Sequence, residues 1–542
     1  MNLSPNSEKS PDFTSSDTTE NSNLSNDLKP SKRLFRFYVL IARDETNLAI
    51  LISVFFLFII LILRVQLSVS YHLDISGSER SSIMPIQYLV NNLPLYVDPN
   101  EPPFYIVQYT PIYFYLVALP YKLFFDPGNV HAIYAASRLV SLLLVLVATL
   151  VFFSMLHHRL RISKNASILF ACFFLGFCSY WNIYFSRVDS LLLVGTCVFV
   201  YVVALGYESS NKENTYLLLA MMIAASLFFV KQSGLVHSTV LIAHIFLLGK
   251  YRLLGRMMAV GLLIIVLGIF VSNGFDTSNL YRNVILGISN GITFDWFFYW
   301  TFDKLVFPLS TLIALAFTIS FRWLAMPHKP LLHFLSIGIT VFFVFALLAS
   351  LKQGAAVGYF IEFVIVSLLA IALFFFKERK VSGLINSVFS GIVVLSLLHF
   401  SLLQYMRHKD YSTRNYEQLY INERAVSTYV KGILGENEFV FAQSGDNFKG
   451  YYFGHFMLNQ TIAPMYDLVE IGRERGTFNF QSFAKMKSEG RLKFIITPEG
   501  EPMQPVMGDN RLNGLYDKAI TMNGYDIYEF QRGGASRPQI AD

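Results

Sequence analysis

The sequence predicts a polytopic α-helical membrane protein with about eleven transmembrane helices, outer juxtamembrane helices and a small C-terminal α/β extracytoplasmic domain. Three observations carry this. The 542-residue chain is 54% hydrophobic and only 15% charged, where a soluble domain carries about 25% charged residues. Its apolar residues gather in runs of roughly 17–25, the length of helix that crosses a bilayer. Beyond residue 404 these runs stop, and short strand-like segments alternate with helical ones.

Residues 1–46 read as a cytoplasmic tail. The first 28 positions are rich in Ser, Asn and Asp, too polar to build a core, and are expected to be disordered. No cleavable signal peptide is visible in them. Lys29, Lys32, Arg33, Arg36 and Arg43 then precede the first apolar run. The transmembrane part, 47–404, holds runs at 47–66, 132–156, 166–185, 190–207, 215–231, 233–249, 257–272, 304–320, 331–350, 359–376 and 381–404. Further basic clusters sit at Arg159, Arg161 and Lys164, at Lys250, Arg252 and Arg256, at Arg322 and Lys329, and at Lys377, Arg379 and Lys380. If all of them face the cytoplasm, the connections alternate consistently, and residues 405–542 lie outside. The segment Tyr109–Phe125 tests this order, because counting it as a span inverts everything after it. Its Pro111, Pro120 and many tyrosines suit a helix lying on the outer face, inside the first outer loop 67–131.

In the C-terminal domain, 405–542, Glu438–Ser444, Leu492–Thr497 and Tyr525–Phe530 have the composition of short strands, with a helical stretch at Ile471–Glu489. The net charge of +6 sits mostly in short loops. That fits positive-inside bias and not nucleic-acid binding. Cys172, Cys178 and Cys197 all lie in apolar runs and give neither a disulfide framework nor zinc spacing. There is no internal repeat and no Gly-rich phosphate loop.

Under this sidedness the unusual polar residues share the outer face. Asp74 and Glu79 lie in the first outer loop. Arg187 and Asp189 lie in Ser186-Arg187-Val188-Asp189-Ser190, between two spans, where charge is costly to bury. Lys231 ends the fifth span and Lys352 follows the ninth. Tyr359 and Glu362 open the tenth, three residues apart and so on one helix face. Carboxylates so placed can take a proton from a hydroxyl, and the cations can hold a phosphate. Each residue has a plainer reading too. Asp74 or Glu79 alone fits a solvated loop acid, and Arg187 and Asp189 can simply neutralise one another. Lys231 and Lys352 suit snorkelling anchors, and Tyr109 suits an interfacial aromatic belt. Glu362 is the hardest to dismiss, as an acid inside an apolar helix.

The ordered set resembles the polytopic glycosyltransferases of the C superfamily, in the branch with protein O-mannosyltransferases and the aminoarabinose transferases that modify lipid A. The matching pieces are Asp74-Ile-Ser-Gly-Ser-Glu79, Leu93-Pro-Leu-Tyr96, Tyr109-Thr-Pro-Ile-Tyr113-Phe-Tyr115, Ala136-Ser-Arg138-Leu-Val-Ser141, Ser186-Arg-Val-Asp189-Ser, Val230-Lys231-Gln-Ser, and Lys352-Gln-Gly354-Ala leading to Tyr359-Phe-Ile-Glu362. They cover about residues 45–404.

The resemblance implies an integral protein of the plasma (inner) membrane that moves a hexosyl or pentosyl group. The donor would be a polyprenyl-phosphate-linked sugar, and the acceptor an extracytoplasmic lipid, glycan or protein. It implies Glu79 or Asp74 as the first-loop acid and Asp189 as the second. Arg187, Lys231, Lys352, Tyr359, Glu362 and Tyr109 would contact substrate. The family's adjacent acidic pair is absent here: Ser78 precedes Glu79, and the other acid stands five residues earlier. Glu79 is slightly favoured, being nearer the juxtamembrane helix. Attack opposite the departing phosphate implies inversion. No cofactor is expected; family members differ on metal dependence, which leaves a divalent metal open.

Three other readings compete. A transporter or lipid flippase would place polar residues near the midplane and often show paired halves, unlike this one-sided set. An O-antigen polymerase or ligase would favour a large basic outer loop, whereas 273–303 is aromatic and modestly charged. A binding or assembly protein would leave Glu79 and Asp189 dispensable.

Overall fold

The structure, a computed structural model, describes residues 45–531 apart from 181–184, 210, 273–275, 356, 379–382, 413, 510–511 and 513. The tail before residue 45, with its basic cluster, lies outside the described residues, as do Arg379 and Lys380. The chain is a mostly helical, polytopic membrane protein with a small C-terminal sheet. Seven helices are long and apolar enough to cross a bilayer: Glu45–Ser68, Val130–Arg159, Asp189–Glu208, Tyr251–Ser272, Pro330–Ser350, Gly358–Glu378 and Ile385–Ser412. Phe294–Val306 and Ser310–Leu324 make an eighth only as a pair bent by 76°.

Length therefore supports seven or eight spans where the apolar runs suggest eleven. The runs at 166–185, 215–231 and 233–249 fold as shorter helices, Lys164–Ser179, Glu213–Phe229 and Gln232–Leu247. The last two are almost continuous in sequence, and the chain breaks between them at Lys231. Gly234 permits the break, since a Cβ there would lie 2.2 Å from the Leu227 carbonyl oxygen. The segment Tyr109–Phe125 contains the helix Ile112–Phe124. At 13 residues it extends about 20 Å, short of a bilayer core. Tyr113, Phe114, Val117 and Tyr121 are buried, while Leu119, Leu123 and Phe124 are exposed, as an interfacial helix requires.

Glu45–Ser68 packs against Gly383–Ser412 and Lys164–Tyr180, and Val130–Ser154 packs against Asp189–Glu208. Small residues set the closest approaches. A Cβ on Gly176 would stand 2.2 Å from Leu397 Cδ2. The helices also separate two kinds of charge. Asp189 opens a helix of 20 residues whose last residue, Glu208, pairs with Arg159 at 3.4 Å. Site and basic cluster thus occupy opposite ends of one helix, about 30 Å apart. Glu378 repeats the pattern with Lys329, at the far end of the span that contains Tyr359.

The C-terminal sheet has four strands in the order β1-β2-β4-β3: β1 Phe439–Ala442, β2 Leu492–Pro498, β3 Tyr516–Met522 and β4 Tyr525–Phe530. β1 and β2 are parallel, and the other pairings are antiparallel. Strand β3 is absent from the sequence reading because its side chains are mostly exposed. Its signal was the turn Asn523-Gly524, both residues at positive φ, the dipeptide that closes a tight hairpin. The expected helix Ile471–Glu489 is two helices, Tyr466–Glu474 and Gln481–Ser488, interrupted at Gly476 with φ 66°.

One polar clasp binds this domain to the first loop and the helix after it, and a second braces the domain from within. His455 Nδ1 donates to Gln87 Oε1 (2.5 Å), and its Nε2 accepts from the Tyr134 hydroxyl (2.8 Å). Burial holds its ring well below the usual imidazole range, and so neutral. The buried carboxylate of Glu423 accepts from Gly450 N–H (2.8 Å), Tyr452 N–H (2.7 Å) and the Tyr525 hydroxyl (2.5 Å). Glu423→Ala orphans the Tyr452 N–H and the Tyr525 hydroxyl proton, leaves Gly450 N–H only its 3.2 Å bond to the Tyr525 oxygen, and is expected to cost about 2–4 kcal/mol locally. Hydrogen exchange should then accelerate at residues 449–453; unchanged protection there would refute the role.

Candidate functional site

Asp189 is the node of the site. It is buried at the first turn of its helix, where an anion also meets the positive end of the helix dipole. Its Oδ2 accepts from Arg187 Nε (3.1 Å) and its Oδ1 from Lys231 Nζ (2.7 Å). Lys231 Nζ also stands 4.5 Å over the Tyr359 ring, a cation–π contact that keeps the ammonium directed inward. Arg187 reaches the Tyr109 hydroxyl (3.4 Å) and the Ser76 carbonyl (3.5 Å). Residues distant in sequence thus meet at one end of the helical bundle.

Arg187 and Lys231 line a cavity of 390 Å³ together with Lys352, Tyr109 and Tyr359, and Asp189 holds the first two from outside its lining. Leu235, Val236, Phe345 and Ala349 form an apolar wall. Among the described residues, three cations and no carboxylate line the cavity, so its wall presents positive charge. No carboxylate offsets Lys352 among the described residues, and burial followed by repulsion from Lys231 brings its ammonium down to about 8. An anion in the cavity would relieve both effects. Glu362 is buried one turn beyond Tyr359, within electrostatic reach of Lys231 and Asp189, but does not line the cavity.

The two first-loop acids differ sharply. Glu79 is fully buried, and Arg138 holds both its oxygens, Nε on Oε1 at 2.9 Å and Nη2 on Oε2 at 2.6 Å. Ile75 N–H adds a third bond at 3.1 Å. Arg138 also donates to the carbonyls of Ser70 (3.1 Å) and His72 (2.5 Å). Asp74 sits in a left-handed turn at φ 49° and is partly exposed. Its Oδ1 accepts from Glu79 N–H at 2.6 Å. Its other oxygen has no hydrogen-bond partner among the described residues. Burial and then the charge of Glu79 push its carboxyl up to about 6, against the opposing pull of the Glu79 N–H, Arg187 and Arg80.

Of the residues singled out from sequence, the structure brings Arg187, Asp189, Lys231, Lys352, Tyr109 and Tyr359 together, with Asp74 adjoining through Arg187. Glu79 is drawn away into its pair with Arg138. Sequence reasoning did not assign Arg138 a partner, or notice Arg64, fully buried in the first span with its guanidinium 4.2 Å over the Phe185 ring. Each was detectable as an isolated arginine inside an apolar run. Among the described residues no three His, Cys, Asp or Glu side chains are grouped to hold a metal ion.

No family model matches the chain, and no curated protein sequence matches it. Solved structures do. ArnT from Cupriavidus metallidurans, in the apo state, superimposes with a TM-score of 0.55 at 12% identity, over 88% of this chain and 97% of that one. The Archaeoglobus fulgidus oligosaccharyltransferase in its apo form gives 0.53 at 11% identity, over 83% and 69%. Its complex with zinc and sulfate gives 0.50 at 12%, over 81% and 68%. At these identities the likeness shows the fold, and it is the fold that resemblance to the glycosyltransferase C superfamily implies.

Proposed function

We propose that the protein is a membrane glycosyltransferase that moves a sugar from a polyprenyl-phosphate donor to an extracytoplasmic acceptor, with inversion. The observation that carries this is the convergence of Arg187, Lys231 and Lys352 on one cavity with an apolar wall. The apolar wall suits a prenyl tail and the cations suit its phosphate. As the C1–O bond breaks, charge grows on the departing phosphate, and those cations stabilise it without any nucleotide-binding fold. Asp74 takes the proton of the incoming hydroxyl. Asp189 holds Arg187 and Lys231 in place, and Glu79 shapes the loop through Arg138. The basic clusters at the opposite helix ends support a cytoplasmic N-terminus and a site on the outer face of the plasma (inner) membrane.

The test is transfer from a labelled polyprenyl-phosphate sugar, followed in membranes across pH. Asp74 works as a base only when ionised. With its carboxyl at about 6, kcat/KM should rise as pH increases through 6 and then level off. It should decline again above about 8, as the unliganded Lys352 ammonium loses its proton. A profile with no rise through about 6 and no decline above about 8, or the absence of transfer from any such donor, would defeat the reading.

A further inference from the structure

A second cavity, of 440 Å³, opens beyond the C-terminal end of β1, walled by the loop Ser444–Lys449 with Arg414 and Tyr451. The loop has a strained build. Asn447 and Phe448 are consecutive left-handed residues, with φ 56° and 65°, a conformation that non-glycine residues seldom hold and that clusters at ligand sites. Gly450 then folds the chain back at φ 84°, and a Cβ there would stand 2.3 Å from the Gln443 carbonyl oxygen. The Glu423 carboxylate anchors that return from beneath.

This build presents a particular surface. The Phe448 and Tyr451 rings meet edge to face with centroids 6.0 Å apart, and the Arg414 guanidinium lies 6.0 Å from the Phe448 ring centre. The side chains of Asp446, Asn447 and Lys449 are exposed and have no hydrogen-bond partner among the described residues. An aromatic face ringed by a carboxylate, an amide and cations complements a sugar. The C–H face of a pyranose packs on a ring, and its hydroxyls both donate to Asp446 and accept from Asn447 and Arg414. The pocket also connects to Asp74. Arg80 lies 5.0 Å over the Tyr451 ring, and the Asp74 carboxylate is within electrostatic reach of both Arg80 and Tyr451. Arg187 reaches the same carboxylate from the first cavity.

We propose that the Ser444–Tyr451 pocket binds the acceptor, and that the acceptor is a saccharide chain, whose hydroxyl it directs toward Asp74. This rests on the donor cavity and acid assigned above. The test uses the full-length protein in phospholipid nanodiscs, titrated with maltohexaose, cellohexaose, chitohexaose and mannohexaose. At least one should bind, and Phe448→Ala and Asn447→Gly should each weaken it about tenfold. Glycine keeps the left-handed backbone at 447, so that variant reports the amide alone. Phe448→Trp, which restores an aromatic face, should recover binding. In transfer assays Phe448→Ala should raise the acceptor KM with little change in kcat. Failure of all four oligosaccharides to bind, or binding indifferent to both variants, overturns the pocket. Binding through Phe448 in a protein that uses no polyprenyl-phosphate sugar overturns the donor reading and leaves the pocket standing.

Discussion

Asp74→Asn should lower transfer by about 10²–10⁴-fold, the range lost when a positioned general base is removed, while the protein stays folded. The substitution separates chemistry from structure unusually well. Asn is among the few residues at ease in the left-handed region that Asp74 occupies at φ 49°. Its amide oxygen can still accept the Glu79 N–H that Oδ1 accepts now at 2.6 Å. What Asn cannot do is receive a proton. The loss should therefore fall on kcat, with donor affinity largely kept, because Arg187, Lys231 and Lys352 remain. Asp74→Glu is not a rescue. Its longer side chain withdraws the oxygen from the Glu79 N–H and strains the turn. Full transfer by Asp74→Asn in the labelled-donor assay would remove Asp74 from the chemistry.

How far the sequence leads here depends on the kind of signal. Charges within apolar runs are legible, since a bilayer tolerates them only for cause. Arg187, Asp189, Lys231 and Lys352 stand out for that reason, and three of the four meet in direct ion pairs. The helices are legible as well, because eleven apolar runs became helical; the span count is not. The interruption at Lys231 is legible, as the gap between the runs 215–231 and 233–249; the close approach at Gly234 that permits it is recorded by no periodicity. Partners across a loop are also hidden. Glu79 and Arg138 lie 59 residues apart, and nothing in either segment says that the two will bond. Proximity to the juxtamembrane helix favoured Glu79, whose oxygens Arg138 holds; the proposal above gives the base to Asp74 instead, because a base needs an oxygen free to meet a substrate. Strand β3 shows the same limit, because an exposed strand lacks the apolar alternation that would reveal it, leaving only its Asn523-Gly524 turn.

Glu79→Gln should damage folding before it damages chemistry. The wild-type carboxylate receives two guanidinium hydrogen bonds and one backbone N–H in a site with no exposed surface. An amide turns an N–H₂ toward Arg138 and leaves a buried guanidinium short of its counter-charge. Breaking a buried pair from one side costs about 3–5 kcal/mol, a large part of what holds a typical domain folded. Arg138→Met should be at least as harmful. It strands the Glu79 charge, and it also strips the donor from the carbonyls of Leu67, Ser70 and His72. For that reason the double variant Glu79→Met with Arg138→Met should recover only part of the loss. It removes the unpaired charge, but the Ser70 and His72 carbonyls still lose their guanidinium donor, while Leu67 keeps the Ser70 hydroxyl at 2.7 Å. Thermal unfolding in detergent, read beside the monodisperse fraction, measures all three variants. Transfer per folded molecule then separates the two acids. If Glu79→Gln matches wild-type stability and loses transfer as deeply as Asp74→Asn, Glu79 belongs to the chemistry and its pairing with Arg138 must open during the reaction.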